Sequence, residues 1–352
     1  MNRQKKYLYL IIALVILGGA IFATIAFVGK NKASQPDQAP SVQKNQPNLP
    51  SFSGSVTPGE SSGNAGGVSV PAPDNSAGAS QTSSNGQEKR VLIVMGENQN
   101  YSKIIGNTQD MPYLNSLANT YAYAKEYYGN VHPSMGNYFM LTGGQLFSTS
   151  DGFSDEVKDD NIVRHLIAVG KTWKEYSENL PSVGYTGKDT NGYTQHHNPL
   201  SYYSDVRENS NQAKNLVPFG QFAADLANHN LPNYSFIVPN NSDNAHSCSN
   251  VSCFDNWLKT NIDPLVKNSD FNTPGGGLLI ITFDESASSD KTRGGGHTVW
   301  VAVGPDVKKG YSSSTVYQQE NTLRFMSEEL GLTSFPGQAA SAASMKEFMT
   351  GN

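Results

Sequence analysis

The stretch Gly277-Leu278-Leu279-Ile280-Ile281-Thr282-Phe283, followed directly by Asp284-Glu285, carries the strongest structural signal in the chain. Its length and its β-branched side chains predict a strand that is buried on both faces. Two adjacent carboxylates at the end of a buried strand are costly unless a cation or hydrogen-bond donors compensate them. The stretch therefore predicts a central strand that ends at a chemical site, with a solvated strand end as the alternative.

Outward from this strand, apolar runs alternate with helix-like stretches. Segments 90–95, 234–238 and 298–303 predict further strands because they are short, apolar and rich in β-branched residues. Strands that alternate with helices indicate an α/β sheet that is covered on both faces. The predicted helices are 111–124, 161–169, 219–227, 254–266 and 318–330.

Polar side chains follow several of these strands, where functional groups gather in open α/β sheets. A carboxylate and an amide follow strand 90–95, and a carboxylate and a histidine lie in the loop after strand 234–238. Another histidine follows three glycines. Oxygen and nitrogen ligands together suggest one or two divalent cations. A single histidine is more often an ordinary surface or core residue, which is the alternative for both histidines. The residues are Glu97, Asn98, Asp243, His246, Asp284, Glu285 and His297.

Residues 132–144 place a hydroxyl, Ser134, between a proline turn and a short apolar run closed by two glycines. This pattern presents a nucleophile at the start of a helix, and a hydroxyl nucleophile needs a base or a metal to activate it. Asn137 lies three residues further on. The run His196-His197-Asn198-Pro199 predicts a turn near a site, with His197 in contact with substrate. We expect His132, before Pro133, to shape the turn.

The N-terminal region predicts no folded domain. Residues 7–28 are an uncharged apolar segment that is long enough to cross a membrane. Arg3, Lys5 and Lys6 precede it, which favours a cytoplasmic N-terminus. A cleaved signal peptide is the alternative. We therefore divide the chain into a cytoplasmic tip and anchor (1–28), a disordered Ser/Pro/Gln/Gly-rich linker (29–88) and an extracellular catalytic domain (89–352).

The cysteine content and the net charge indicate the redox compartment of the protein and the partners it can have. Cys248 and Cys253 are the two cysteines, and an oxidising compartment favours a local disulfide over two free thiols. The net charge is −5, without a basic run in the folded part, so nucleic acid is not an expected partner. The oligomeric state stays open.

The order and spacing of these motifs resemble the phosphoesterase family of the alkaline-phosphatase-like superfamily, which includes bacterial and fungal acid phosphatases and phospholipase C-type enzymes. The resemblance spans about residues 90–333. It implies a three-layer α/β sandwich with a mostly parallel central sheet and helices on both faces. The motifs are Glu97-Asn98, Met111-Pro112-Tyr113-Leu114, His132-Pro133-Ser134 with Asn137-Tyr138, His197-Asn198-Pro199, Phe236-Ile237-Val238-Pro239-Asn240, Asp255-Asn256-Trp257-Leu258 and Ile281-Thr282-Phe283-Asp284-Glu285.

The resemblance also implies roles for individual residues. Ser134 matches the nucleophile and Asn137 the phosphate-binding amide, while Asn98 lies beside the metal in the site. The ions would be zinc, with magnesium or calcium as alternatives. The implied metal ligands are Glu97, Ser134, Asp284 and Glu285, with Asp243, His246 and His297 at a second metal.

Two departures from the family pattern are visible. Gly136 stands where the family usually has proline, which predicts a less rigid nucleophile turn. The loop from Ser286 to His297 is short, which makes a large lid over the site doubtful.

The expected function is a metal-dependent extracellular phosphomonoesterase of acid-phosphatase type that works through a phosphoserine. Its partners would be a phosphate ester substrate and, through the N-terminal helix, the membrane. The first alternative is a phospholipase C-type phosphodiesterase. The second is a non-catalytic surface protein that binds glycan through Tyr121, Tyr123, Tyr127 and Tyr128.

Overall fold

A nine-stranded sheet organises residues 88–351, the part of the chain that the computed structural model describes. Across the sheet, five neighbouring strands run parallel, and the strands beyond them are mixed in direction. In chain order the strands are β1 (Arg90–Gly96), β2 (Ala122–Tyr128), β3 (Trp173–Ser177), β4 (Leu216–Pro218), β5 (Tyr234–Val238), β6 (Gly277–Phe283), β7 (His297–Thr298), β8 (Trp300–Val303) and β9 (Tyr311–Tyr317). Their spatial order is β4, β3, β5, β1, β6, β8, β2 and β7, with β9 paired to β2.

Helices alternate with these strands along the chain. In chain order they are α1 (Tyr101–Ile104), α2 (Pro112–Thr120), α3 (Met135–Gly143), α4 (Ile162–Ala168), α5 (Ser204–Arg207), α6 (Ser210–Ala213), α7 (Gly220–Ala227), α8 (Ser252–Asn261), α9 (Asp263–Val266) and α10 (Gln319–Glu329). Short 3₁₀ helices occur at Gln195–His197, Pro199–Tyr202, Gly337–Ala340 and Lys346–Phe348.

The central strands lie inside the molecule. Every residue of β5 and β6 is buried, and in β1 only Arg90 is partly exposed. A strand whose successive side chains are all buried has both faces covered. Helix α2 packs with α8, while α3 packs with α10. The predicted α/β sandwich with a mostly parallel sheet is confirmed.

The predicted helix 111–124 extends too far and is wrong over its last four residues. Helix α2 begins at Pro112, whose fixed φ suits the first turn of a helix, and ends at Thr120. Residues 122–128 form β2 instead, which pairs with β7, β8 and β9. The helical spacing of apolar residues from Leu114 to Tyr121 carried the prediction too far, whereas the tyrosines of 122–128 and their pairing partners favour a strand.

Other boundaries shift less. The predicted helix 254–266 is two helices, α8 and α9, with Pro264 in the first turn of α9. The predicted strand 298–303 is interrupted at Val299 and forms β7 and β8. Strands β3, β4 and β9 were not predicted, because β3 and β9 are rich in charged or polar residues and β4 is only three residues long.

All described residues belong to one compact unit. Within 88–351, none of the helices has the length and apolar character needed to span a membrane. The predicted anchor at 7–28 and the linker up to residue 87 lie outside the described residues. The predicted disulfide between Cys248 and Cys253 is confirmed.

Candidate active site

The carboxyl ends of β5, β1 and β6 meet at one edge of the sheet, because these strands are parallel neighbours. Glu97 follows β1, while Asp284 and Glu285 follow β6. The backbone N–H of Asn98 donates to Asp284 Oδ1 over 2.9 Å. The backbone N–H of Glu97 donates to the carbonyl of Asn244, in the loop after β5, over 2.8 Å. The structure thus brings the three predicted carboxylates to one place.

Ser134 lies immediately before α3 and is buried. Its hydroxyl donates to Glu97 Oε2 over 3.3 Å, and its proximity to Asp284 lowers the pKa of that acid. One helical turn further on, the Tyr138 hydroxyl donates to the other oxygen of Glu97. Glu97 therefore holds both the candidate nucleophile and the first turn of the helix that presents it.

Asn137 ties the turn before Ser134 to the site. Its side-chain oxygen accepts from the backbone N–H groups of Asn130 and Val131 over 2.7 and 3.2 Å. Its side-chain nitrogen donates to the Val131 carbonyl over 2.7 Å and to Glu285 Oε2 over 3.2 Å. Both amide hydrogens are thus engaged by the protein, so in this arrangement Asn137 supports the turn. Its role as a phosphate donor stays a prediction.

Gly136 is tightly enclosed. A Cβ at this position would lie 2.5 Å from Val131 Cγ1 and 3.1 Å from the Ser148 carbonyl oxygen. The space that a side chain would need is already occupied. Close packing therefore defines the turn at this position.

Burial raises the pKa values of the three carboxylates at the edge of the sheet. The pKa of Glu97 is raised well above its usual value by burial and by the charge of Asp284. The pKa of Glu285 is raised by burial, by Asp284 and by Asp151. Burial also raises the pKa of Asp284, whereas the Asn98 N–H and Ser134 oppose the rise. Such a cluster cannot be fully ionised without a compensating cation.

Asp151 is a site residue that the sequence did not reveal. Its Oδ1 accepts from the backbone N–H of Met135, the first residue of α3, over 3.0 Å. Its charge also raises the pKa values of Asp284 and Glu285. In the sequence it follows the polar run Ser148-Thr149-Ser150, so nothing distinguished it from a surface acid.

Two histidines contact the carboxylates. His197 Nε2 lies 3.4 Å from Glu97 Oε1, and its ring stacks on Tyr138. Burial and the neighbouring His196 and His246 lower the pKa of His197, which makes it a neutral contact. The His132 ring lies 3.1 Å from Glu285 Oε2 through Nδ1. His132, which we assigned only to the turn, thus also contacts the site.

The predicted second metal site of Asp243, His246 and His297 is not assembled. His246 Nδ1 lies 2.9 Å from the Asn98 side-chain nitrogen, at the rim of the site. The His297 ring stacks between Tyr101 and Tyr128, and its Nε2 contacts the Lys125 carbonyl oxygen over 2.7 Å. Aromatic packing therefore holds this histidine, although the glycines before it had suggested a ligand.

Asp243 lies in the same loop as His246, after β5. Its charge acts on Glu178, whose pKa is raised chiefly by burial. Across residues 88–351, no three His, Cys, Asp or Glu side chains form a group that could hold a metal ion as arranged. The expectation of a two-metal site is therefore not met by these three residues.

The residues around Ser134 suit a divalent cation better than Asp243, His246 and His297 do. Asp284 Oδ2 is buried and has no hydrogen-bond partner among the described residues. Glu97, Ser134 and Asp284 supply oxygen atoms in contact with one another, and hard cations prefer oxygen ligands. The chemistry of these donors thus fits a single hard cation or zinc.

The tyrosines proposed for glycan binding do not form a surface. Tyr121, Tyr127 and Tyr128 are buried. The Tyr127 hydroxyl donates to Gln319 Oε1 over 2.6 Å and lies 2.7 Å from the Thr322 hydroxyl. The non-catalytic alternative therefore loses the feature on which it rested.

A buried serine and three carboxylates meet at the carboxyl edge of this sheet, and the α/β fold that carries them is similar to that of a solved member of the alkaline phosphatase superfamily. A solved structure described as a protein in that superfamily, from Vibrio parahaemolyticus, aligns with a TM-score of 0.52 at 13% identity. The alignment covers 75% of this chain and 72% of that one. At this identity the likeness concerns the fold alone.

The model of the Phosphoesterase family matches residues 107–333, more than half of the chain. The chain therefore belongs to the phosphoesterase family, and the resemblance seen in its motifs is confirmed. An acid phosphatase of Aspergillus fumigatus is 32% identical over 59% of this chain and 48% of its own length. A phosphatidylinositol-3-phosphatase of Mycobacterium tuberculosis is 29% identical over 69% of this chain and 77% of its own length. The chain spans about half the length of the acid phosphatases it matches.

Proposed function

We propose that the folded domain is a phosphomonoesterase in which Ser134 attacks phosphorus. The observation that carries the proposal is the buried Ser134 hydroxyl, held at the start of α3 by Glu97. The Ser134 oxygen forms a bond to phosphorus while the bond to the leaving alcohol breaks. Glu97 is placed to accept the serine proton, and the leaving alcohol then takes up one proton. Water then cleaves the phosphoserine.

The surroundings of Ser134 support attack at phosphorus. Helix α3 begins directly after it, and the start of a helix favours negative charge such as that of a phosphoryl group. His197 and Asn98 lie against Glu97 and face the same site. These two side chains are the proposed contacts to the substrate oxygens.

We infer that the domain uses a divalent cation, held by Glu97, Ser134 and Asp284 with Glu285 beside them. When bound, such an ion lowers the pKa of a hydroxyl and neutralises charge on the phosphoryl oxygens. The raised pKa values of the carboxylates and the unpaired Asp284 Oδ2 support this assignment. The identity of the ion, with zinc, magnesium and calcium as candidates, is part of the proposal.

The names of the relatives favour a monoester substrate, because acid phosphatases and a phosphatidylinositol-3-phosphatase are phosphatases by description. A phospholipase C-type phosphodiesterase remains the second candidate. We also propose that the domain, residues 89–352, works outside the cytoplasm, since the Cys248–Cys253 disulfide suits an oxidising compartment.

The test uses the full-length protein with added Zn²⁺, Mg²⁺ or Ca²⁺. Rates are measured on 4-nitrophenyl phosphate, a monoester, and on bis(4-nitrophenyl) phosphate, a diester. We expect faster hydrolysis of the monoester, and a mass increase of one phosphoryl group on the Ser134 peptide after acid quenching. Faster diester hydrolysis would favour the second candidate, and hydrolysis of neither substrate would refute the proposal.

A further inference from the structure

A polar groove opens beside the candidate site, between α1 and the disulfide-closed loop 248–253. Its volume is about 300 Å³. Two other cavities, of about 510 and 300 Å³, lie beside α7 and beside β3, and no residue of the site lines them. The groove is lined by Gln99, Lys103, Asp110, His246, Ser249 and Asn250, among others.

The groove is continuous with the carboxylate cluster. His246 forms part of its wall and contacts the Asn98 side chain over 2.9 Å, while the Asn98 N–H donates to Asp284. Gln99, next in the chain, donates through Nε2 to the Ala245 carbonyl over 2.8 Å. A molecule in the groove would therefore reach the site past Asn98 and His246.

The walls of the groove are fixed to each other. Asp110, which follows α1, accepts from the Asn107 side chain through one oxygen and from the Asn250 side chain through the other, each over 3.2 Å. The second bond connects the α1 side to the disulfide loop. The groove thus needs no ligand to hold its shape, which lowers the entropic cost of binding.

The groups that face the groove are polar. Among residues 88–351, neither the Lys103 ammonium nor the Ser249 hydroxyl has a hydrogen-bond or ion-pair partner, and both residues are exposed. Ammonium, hydroxyl and imidazole groups suit a ligand that carries several hydroxyls. An acyl chain would leave these groups without water or a partner, which costs binding energy.

We propose that this groove binds the alcohol part of the substrate, and that this alcohol is a polyol such as glycerol or a sugar. The inference rests on the proposed function and names its substrate class. When the Ser134 oxygen bonds to phosphorus, the phosphorus–oxygen bond to the polyol breaks. The polyol oxygen takes up one proton and the neutral polyol leaves through the groove.

The test compares selectivity across variants of the full-length protein. For each variant, kcat/KM is measured on glycerol 2-phosphate, on glucose 6-phosphate and on 4-nitrophenyl phosphate, whose leaving group has no hydroxyl cluster. Lys103→Met removes a donor, and Ser249→Trp fills the groove. We expect the ratio of kcat/KM for the polyol phosphates over 4-nitrophenyl phosphate to fall about fivefold to tenfold in each variant.

Matched controls lie nearby. Ser247→Trp places the same bulk in the same loop on a residue that does not line the groove, and Lys214→Met removes an exposed lysine from α6's end. Both should keep the parent ratio. If the parent hydrolyses all substrates and the ratio does not fall in Lys103→Met and Ser249→Trp, the groove assignment is wrong and the proposed function stands. If the parent hydrolyses no substrate, the proposed function itself fails.

Discussion

The Ser134 hydroxyl lies 3.3 Å from Glu97 Oε2, although the two residues are 37 positions apart in the chain. Glu97 is delivered by the end of β1 and Ser134 by the turn before α3. Because both are buried, water cannot replace either partner freely. The pair is therefore the arrangement on which the proposed chemistry depends.

Replacing Ser134 by alanine removes the proposed nucleophile. Hydrolysis of 4-nitrophenyl phosphate should fall by three orders of magnitude or more, since covalent catalysis is lost (about 10³-fold or greater). Thermal unfolding should shift little, because one weak hydrogen bond is removed. Ser116→Ala, on the partly exposed side of α2, serves as the matched control and should retain the parent rate. A Ser134→Ala protein with near-parental turnover would exclude the phosphoserine route.

Asp151 is a fourth acidic side chain beside the site. In Asp151→Asn the side-chain oxygen can still accept from the Met135 N–H, while the charge near Asp284 and Glu285 is gone. Less repulsion of a phosphate dianion should lower the KM for 4-nitrophenyl phosphate about fivefold, equivalent to roughly 1 kcal/mol of electrostatic energy.

The exposed Asp155, in the same loop, provides the control for Asp151. Asp155→Asn removes one charge at the surface and should leave KM unchanged. By contrast, Asp151→Ala also removes the acceptor for the Met135 N–H and should cost about 1 kcal/mol of stability in urea unfolding. An Asp151→Asn variant with unchanged or higher KM contradicts the assignment.

Cation binding can be measured without an activity assay. A ligand that binds only the folded state at 100 times its Kd adds about 2.7 kcal/mol to the free energy of unfolding. Saturating Zn²⁺, Mg²⁺ or Ca²⁺ should therefore raise the Tm of the chelator-treated protein by several degrees. Asp284→Asn should lose this shift, because Asp284 Oδ2 is the free buried oxygen. Asp159→Asn, an exposed acid, should keep it, and an equal shift in both variants would place the cation elsewhere.

The fold and the central part of the site could be predicted from sequence. Glu97 and Asp284 directly follow long apolar strands, and parallel strands bring their carboxyl ends together whatever the details of packing. Ser134 was visible from the turn and glycine residues around it. These features are local in sequence, so one amino-acid sequence is enough to find them.

Contacts set by tertiary packing could not be predicted. Asp151 reaches the start of α3 from a polar loop, and only the fold determines that approach. His297 follows three glycines as a ligand would, yet Tyr101 and Tyr128 enclose its ring. Tyr138 stands four residues after Ser134 on the same helix face, which was a usable signal. Its contact with Glu97, at the end of β1, is set by the fold.

A buried acid outside the site gives a prediction on stability. Glu175, in β3, is buried, and its carboxylate accepts from the Leu200 N–H over 3.1 Å and from the Ser177 hydroxyl over 3.4 Å. Burial raises the pKa of Glu175 from 4.5 to about 8. Between these values the folded protein binds a proton that the unfolded chain has released. Stability from this group is therefore full below pH 4.5 and is lost as the pH rises through about 8.

Glu175→Gln keeps the size and an acceptor oxygen but cannot ionise. Relative to the parent, its free energy of unfolding should rise between pH 5 and pH 9 by about 4 kcal/mol. Urea unfolding at both pH values measures this difference. Glu208→Gln, an exposed glutamate at the end of α5, should follow the parent at both pH values. If the free energies of unfolding of Glu175→Gln and of the parent change equally with pH, Glu175 does not hold the proton that burial assigns to it. The titration of Glu97 and Glu285 contributes equally to both proteins and therefore cancels in the comparison.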